Sequence, residues 1–234
     1  MPMFWFHPAD LLLIPAILIA IWAQAKVRNA YAKYSRVLVR SGITGYEVAR
    51  WILESNNISD VDIEPIPGEM TDHYDPISKK VRLSEGVFYG RSIASVGISA
   101  HELGHVLQHA NGYAPMQIRN LIYPVSALGS NLAFPLILIG IFLSYMGIQG
   151  YWIFVKAGIY AFSLAVAFTI ITLPVEFNAS RRALKILSDG RVLSQDELEG
   201  VKEVLTAAAL TYVASAAVAV LQLLRLLIIF RNRD

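Results

Sequence analysis

Four long apolar runs, at about residues 9–25, 121–146, 151–173 and 205–230, limit what this chain can fold into. All but the first exceed the roughly 20 residues an α-helix needs to cross the hydrocarbon core of a bilayer. Water-soluble domains do not carry four such stretches. Composition agrees, with 55% hydrophobic and only 16% charged residues and a mean hydropathy of +0.48. The expectation is a mainly α, multi-span helical membrane protein with about four transmembrane helices. The first run is short and opens with Asp10. A tilted helix, or one anchored at the interface by Phe4, Trp5 and Phe6, meets that difficulty. The run does not read as a cleaved signal peptide, because no Lys or Arg precedes it and no A-x-A-like site clearly ends it.

Between the apolar runs lie two polar segments, 26–120 and 174–204, which with the spans are read as a single domain over 1–234. Basic residues set the expected orientation. Lys26 to Asn120 carries 11 Lys and Arg and Pro174 to Thr206 carries five, whereas residues 1–25 and the Gly147–Gly150 turn carry none. The positive-inside rule then puts the N-terminus outside and both polar segments in the cytoplasm, as a small α+β portion. The C-terminal Arg231-Asn232-Arg233-Asp234 falls outside, against the rule. The chain has no Cys, which fits a reducing compartment without requiring one.

The longer polar segment contains Ser99-Ala100-His101-Glu102-Leu103-Gly104-His105, an HExxH motif. Residues four apart on a helix lie about 40° apart around its axis, so His101 and His105 can reach one metal ion. Neutral imidazole suits zinc, and a catalytic zinc needs three protein ligands and leaves its fourth position to water. Glu102 is placed to take a proton from that water. Ser92 is a candidate N-cap and Asn111-Gly112 a stop, which predicts a helix over 93–110 with the motif well inside it. The bland reading is a surface helix with incidental histidines.

Upstream, Lys26, Arg28, Lys33, Arg36 and Arg40 read as a basic continuation of the first helix facing anionic headgroups. Thr44-Gly45-Tyr46-Glu47 is a capping box that opens a helix to about Ser55 with Val48, Trp51 and Ile52 on its apolar face. Val61 to Glu64 alternates like a strand that Pro65, Pro67 and Gly68 break. Asp75-Pro76 reads as the turn of a hairpin between His73-Tyr74 and Val81-Arg82-Leu83. A strand beside a zinc helix can pair with an extended peptide. His73 and Tyr74 can donate to an oxyanion or be ordinary hairpin residues satisfied locally; the spacing fits both.

A third zinc ligand remains to be found. His7 falls on the opposite side of the expected membrane, and His109 is one turn too far along the motif helix. Asn111 and Gln108 occupy the positions of the histidine and glycine of an extended HExxHxxGxxH motif, which excludes that version. Glu176, in Pro174-Val175-Glu176-Phe177-Asn178-Ala179-Ser180, is the only acid between Glu102 and Asp189. By position alone it is either that ligand or an acid near a helix N-terminus favoured by the dipole.

HELGH, the stretch Thr71 to Pro76 with Val81 to Ser84, and Pro174 to Ala183 together resemble the YugP-type neutral zinc metallopeptidases of bacterial membranes. The similarity covers nearly the whole chain, including the order of spans. It implies a zinc metallopeptidase in which His101, His105 and Glu176 hold one zinc ion and Glu102 is the acid/base. HtpX-type membrane proteases are more distantly similar. Their ligand motif is followed four residues later by Asp, where this chain has Ser180, so Asn178 or Ser180 is expected to orient the ligands instead.

Because the motif helix and Glu176 are both tethered to spans, the site is expected near the cytoplasmic face of a bacterial membrane, hydrolysing peptide bonds of membrane-associated or unfolded polypeptides. Nucleic acid is not an expected partner; polypeptide and the lipid bilayer are. Two other classes stay open: a zinc-dependent adaptor with His73 or His109 as a fourth ligand, and an intramembrane protease. Lys156 and Arg225, inside apolar runs, are expected to snorkel to the interface. Pro124, Pro135 and Pro174 are expected to bend their helices. Gly129, Ala133, Gly140 and Ala161 offer small residues for close packing between spans.

Overall fold

The computed structural model describes residues 7–231, so Phe4, Trp5, Phe6 and the C-terminal Asn232 to Asp234 lie outside the described residues. A short 3-10 turn, Pro8–Leu12, leads into α1 (Leu13–Tyr34), followed by α2 (Gly45–Ser55), β1 (Asp62–Ile66), β2 (His73–Asp75), β3 (Lys80–Ser84) and α3 (Glu85–Phe88). Then come α4 (Ile93–Ala110), α5 (Ala114–Tyr145), α6 (Trp152–Asp189) and α7 (Gln195–Phe230). Among the described residues, four helical stretches, Pro8–Tyr34, Ala114–Tyr145, Trp152–Asp189 and Gln195–Phe230, are long and apolar enough to cross a membrane. Each outruns the apolar run it contains. Helix continues wherever hydrogen bonds and capping allow, whereas hydropathy marks only the part suited to lipid.

The chain divides into two units, one of residues 1–23, 117–173 and 212–234, the other of residues 24–116 and 174–211. In the first, apolar unit, glycines let helices approach backbone to backbone: a Cβ on Gly129 would lie 2.7 Å from the Ala161 carbonyl oxygen, and one on Gly158 would lie 2.7 Å from that of Ala133. Pro124, Pro135 and Pro174 are accommodated inside continuous helices. Arg225 does not snorkel: its Nε donates to Asp10 Oδ1 at 2.6 Å, tying α7 to the Pro8–Leu12 turn. A charge inside an apolar segment is costly unless paired. Asp10 supplies the partner, so the acid that looked like a defect in the first run is half of an ion pair.

The second, polar unit builds a core around α4. Val48 and Ile52 of α2, Val81 and Leu83 of β3, Leu103 of α4, and Val175 and Leu187 of α6 are fully buried within it. The Thr44–Glu47 capping box forms as its spacing predicts. Thr44 Oγ1 accepts from the Glu47 N–H at 3.1 Å, and Glu47 accepts from the Thr44 N–H at 2.8 Å. Glu197 likewise accepts from the Ser194 N–H at 2.8 Å at the start of α7.

The sheet has the order β1-β3-β2. β2 and β3 form the expected antiparallel hairpin, whereas β1 pairs with β3 in parallel, Glu64 opposite Arg82 and Pro65 opposite Leu83. The strand expected to stop before Pro65 runs through it to Ile66. Proline is tolerated there because β1 is at an edge, where a missing N–H need not break a ladder.

Candidate metal centre and active site

α4 carries the motif into the polar core by the route its sequence sets out. Ser92 Oγ accepts from the Ser95 N–H at 3.1 Å, capping a helix that runs Ile93–Ala110. The other wall is α6, and Gly104 allows it to come close, because a Cβ there would lie 2.5 Å from the Ala179 carbonyl oxygen. The two helices can therefore meet nearly backbone to backbone.

At that meeting point His101, His105 and Glu176 offer one ligand atom each, all within 4.8 Å of one another. Glu176 Oε2 lies 3.3 Å from His101 Nε2 and 3.5 Å from His105 Nε2. Zinc with bonds of about 2.0–2.1 Å in a tetrahedron requires ligand atoms roughly 3.3–3.4 Å apart, so the donor set and its spacing fit zinc. The two imidazoles stand edge to face, with ring centroids 4.9 Å apart.

Each imidazole is held from behind. With Nε2 turned toward the metal position, the His101 Nδ1–H donates to Ser180 Oγ at 3.1 Å, and the His105 Nδ1–H donates to Gln108 Oε1 at 3.0 Å. Gln108 is fully buried, and its amide nitrogen donates to the Val175 carbonyl at 2.7 Å and to Asn178 Oδ1 at 3.0 Å. Asn178 Oδ1 also accepts from Arg182 Nε at 2.8 Å. Such outer contacts fix the tautomer and the orientation of a ligating histidine. Ser180 therefore touches a candidate ligand directly, whereas Asn178 reaches His105 only by way of Gln108. Sequence reasoning marks Gln108 only as a departure from an extended motif. The signal that marks it is its spacing, three residues after His105 on the same helix face.

Glu102 is buried on α4 beside this group. Burial pushes its carboxyl up to about 7; the His101 imidazole opposes the shift, and the Glu176 and Asp72 carboxylates add to it. Burial also raises Asp72, against the pull of the Ser84 N–H, which donates to its Oδ1 at 2.7 Å.

β2 packs beside α4 and is the other edge strand of the sheet. Tyr74, on β2, is buried, and its hydroxyl lies 2.7 Å from His109 Nδ1. Burial pushes that hydroxyl up to about 12. His73, next to it, is exposed, and its Nδ1 lies 2.8 Å from the Thr71 carbonyl oxygen. The structure thus gives both residues local partners. Among the described residues, neither His73 nor His109 belongs to the group that could hold a metal ion, and His7 caps the first turn by accepting from the Ala9 N–H at 3.1 Å.

Two histidines and a glutamate spaced for zinc, with a buried carboxylate alongside, define a class, and comparison agrees: residues 9–231 match the family described as "Putative neutral zinc metallopeptidase". The chain belongs to this family. It is also 47% identical over 221 residues, 94% of this chain and 96% of the relative, to a protein of Bacillus subtilis (strain 168) described as "Putative membrane protease YugP". No solved structure matches the chain.

Proposed function

We propose that the protein is a membrane-embedded endopeptidase that uses one zinc ion per chain to hydrolyse membrane-associated or unfolded polypeptides near the cytoplasmic face of a bacterial membrane. The observation that carries this reading is the convergence of His101, His105 and Glu176 from two helices, with the Glu102 carboxyl buried beside them. These three side chains would hold the ion, which when bound supplies Lewis acidity to the scissile carbonyl and to water in the open fourth position. Glu102 takes a proton from the attacking water and delivers it to the leaving amine, work that suits a carboxyl held near neutrality.

Substrate is read mainly by its backbone: an extended peptide lies along the outer edge of β2, as strand addition to an exposed sheet edge does elsewhere. His73 and Tyr74, carried on that strand, are the candidate donors to the developing oxyanion. Orientation toward the cytoplasm follows from the 11 Lys and Arg in Lys26 to Asn120. The adaptor reading is disfavoured because His73 and His109 have other partners and Glu102 is not among the ligand group. The intramembrane reading is disfavoured because α4 is not among the four helices suited to crossing a membrane.

The test is zinc content and cleavage of a quenched peptide by detergent-purified protein. Glu102→Ala should keep its zinc and lose at least about a hundredfold in rate, the low end of what general acid–base catalysis contributes. Glu176→Ala should lose both. A native protein that binds zinc, with neither variant changing cleavage, would put the adaptor first. A membrane-tethered version of the peptide should be cut faster than the free one; equal rates would remove the proposed substrate preference.

A further inference from the structure

Asn131 of α5 stands ten residues into the apolar run 121–146. That is about 15 Å along the helix axis, near the middle of a hydrocarbon core about 30 Å thick. The inner face of α5 packs against its own unit, with Ser126, Gly129, Ala133 and Ile137 buried and Gly129 close against Ala161 of α6. Asn131, two residues from both Gly129 and Ala133, points about 160° away from each around the axis, and it is exposed. Leu128 and Leu132 beside it are 63% and 52% exposed. Its amide has no hydrogen-bond partner among the described residues. Ser163, Thr169 and Thr172 of α6, by contrast, each donate to a carbonyl of their own helix. Pro135, four residues on and also exposed, lies inside the continuous α5 helix and has no N–H to give to the Asn131 carbonyl. One exposed turn at mid-membrane depth therefore carries an amide donor and a carbonyl that lacks its helical partner, where there is no water to satisfy either.

We infer that this face of α5 docks against the same face of a second copy of the chain, the amide of each Asn131 donating to the Asn131 backbone carbonyl of the other. A twofold axis requires that whatever one copy offers the other accepts. A donor and an acceptor on one residue meet that condition by themselves, whereas an unrelated spanning helix has to bring a matching pair of its own. Asparagine side chains hold membrane helices together in this way because lipid offers them no competing partner. Leu128 and Leu132 close around the pair and keep it dry.

The experiment follows energy transfer between donor-labelled and acceptor-labelled full-length protein in phosphatidylcholine vesicles as lipid dilutes the protein. The native chain should dimerise. Asn131→Leu should weaken the dimer about thirtyfold, the loss of two interhelical hydrogen bonds. Pro135→Ala, which supplies the missing N–H, should weaken it too, while Asn131→Gln, which keeps an amide, should associate as the native chain does. A second measurement leaves Asn131 in place. The chain has no Cys, so Leu128→Cys under mild oxidation should give a disulfide-linked dimer, and Leu164→Cys, at a site 48% exposed on α6, should not. Unchanged association in Asn131→Leu or Pro135→Ala, or an Asn131→Gln variant as weak as Asn131→Leu, would overturn the inference. Cross-linking at position 164 but not at 128 would do the same. A native chain that stays monomeric at every dilution would overturn it as well, and would leave this face to a different membrane protein.

Discussion

Val48, Ile52, Val81, Leu83 and Leu103 of the polar unit have no exposed surface, whereas Leu121, Leu138, Phe142 and Tyr160 of the apolar unit are between 60% and 78% exposed. Both sets are strongly apolar, so the difference lies in the solvent each unit answers to. Water drives the first set inward. Lipid does not distinguish a leucine from its own tails, so spanning helices leave large side chains outside and put small residues between them. Polar groups reverse the pattern. The polar unit keeps ion pairs such as Arg40–Asp196 at its surface, with side chains 69% and 64% exposed. The apolar unit draws Asp10 and Arg225 together with side chains only 23% and 24% exposed.

The sharpest way to break this comparison is at Gly104, where the polar unit uses the close helix contact typical of the apolar one. Gly104→Val should force α4 away from α6 and separate the histidines from Glu176. Zinc retention on dialysis and peptide cleavage should both fall more than about a hundredfold, exceeding the usual effect of losing one outer contact. Next comes a matched pair of truncations. Leu83→Ala should cost about 2–5 kcal/mol as a buried large-to-small change, and Leu138→Ala under about 0.5 kcal/mol, read by thermal unfolding in one detergent. Equal costs would mean that the two units are not governed by different solvents.

Gln108→Leu keeps the volume but removes the contact to His105, and should weaken zinc about 10–100-fold in a competition titration with a chelator. The smallest effect within the polar unit is at the hairpin turn. Asp75 is held down at about 2 by the Ser78 hydroxyl and the Ile77 N–H, against an ordinary value of 3.8. Its contribution is therefore present above pH 3.8 and lost as the pH falls from there toward 2. Asp75→Asn should lower stability by under about 1 kcal/mol at pH 6, as for an exposed charge, and the gap should close on acidification.

The sequence displays whatever depends on neighbours along the chain. The Ser92 cap, the Thr44–Glu47 box, the Asp75-Pro76 turn and the four long apolar runs are all local signals, and each appears where its spacing puts it. Contacts between distant segments are not displayed. Arg225 and Asp10 are 215 residues apart, and Gln108 meets Val175 67 residues on. Pro65 misleads because proline breaks interior strands but not edges, and edge status is decided by β3. Among the candidate ligands, His101 and His105 come from one helix turn, whereas Glu176 needed either the family resemblance or the fold. Gly104 is visible inside HELGH, but its reason, the carbonyl of Ala179, is not.

The Asp10–Arg225 pair also bears on biosynthesis. Asp10 leaves the ribosome 215 residues before its partner is made. At about 5–20 residues per second that interval is on the order of 10–40 s, during which Asp10 lacks its Arg225 partner. Closure of the pair thus marks the arrival of the final helix. A chain that ends before Arg225 lacks this pair, a defect by which truncated products differ from finished ones.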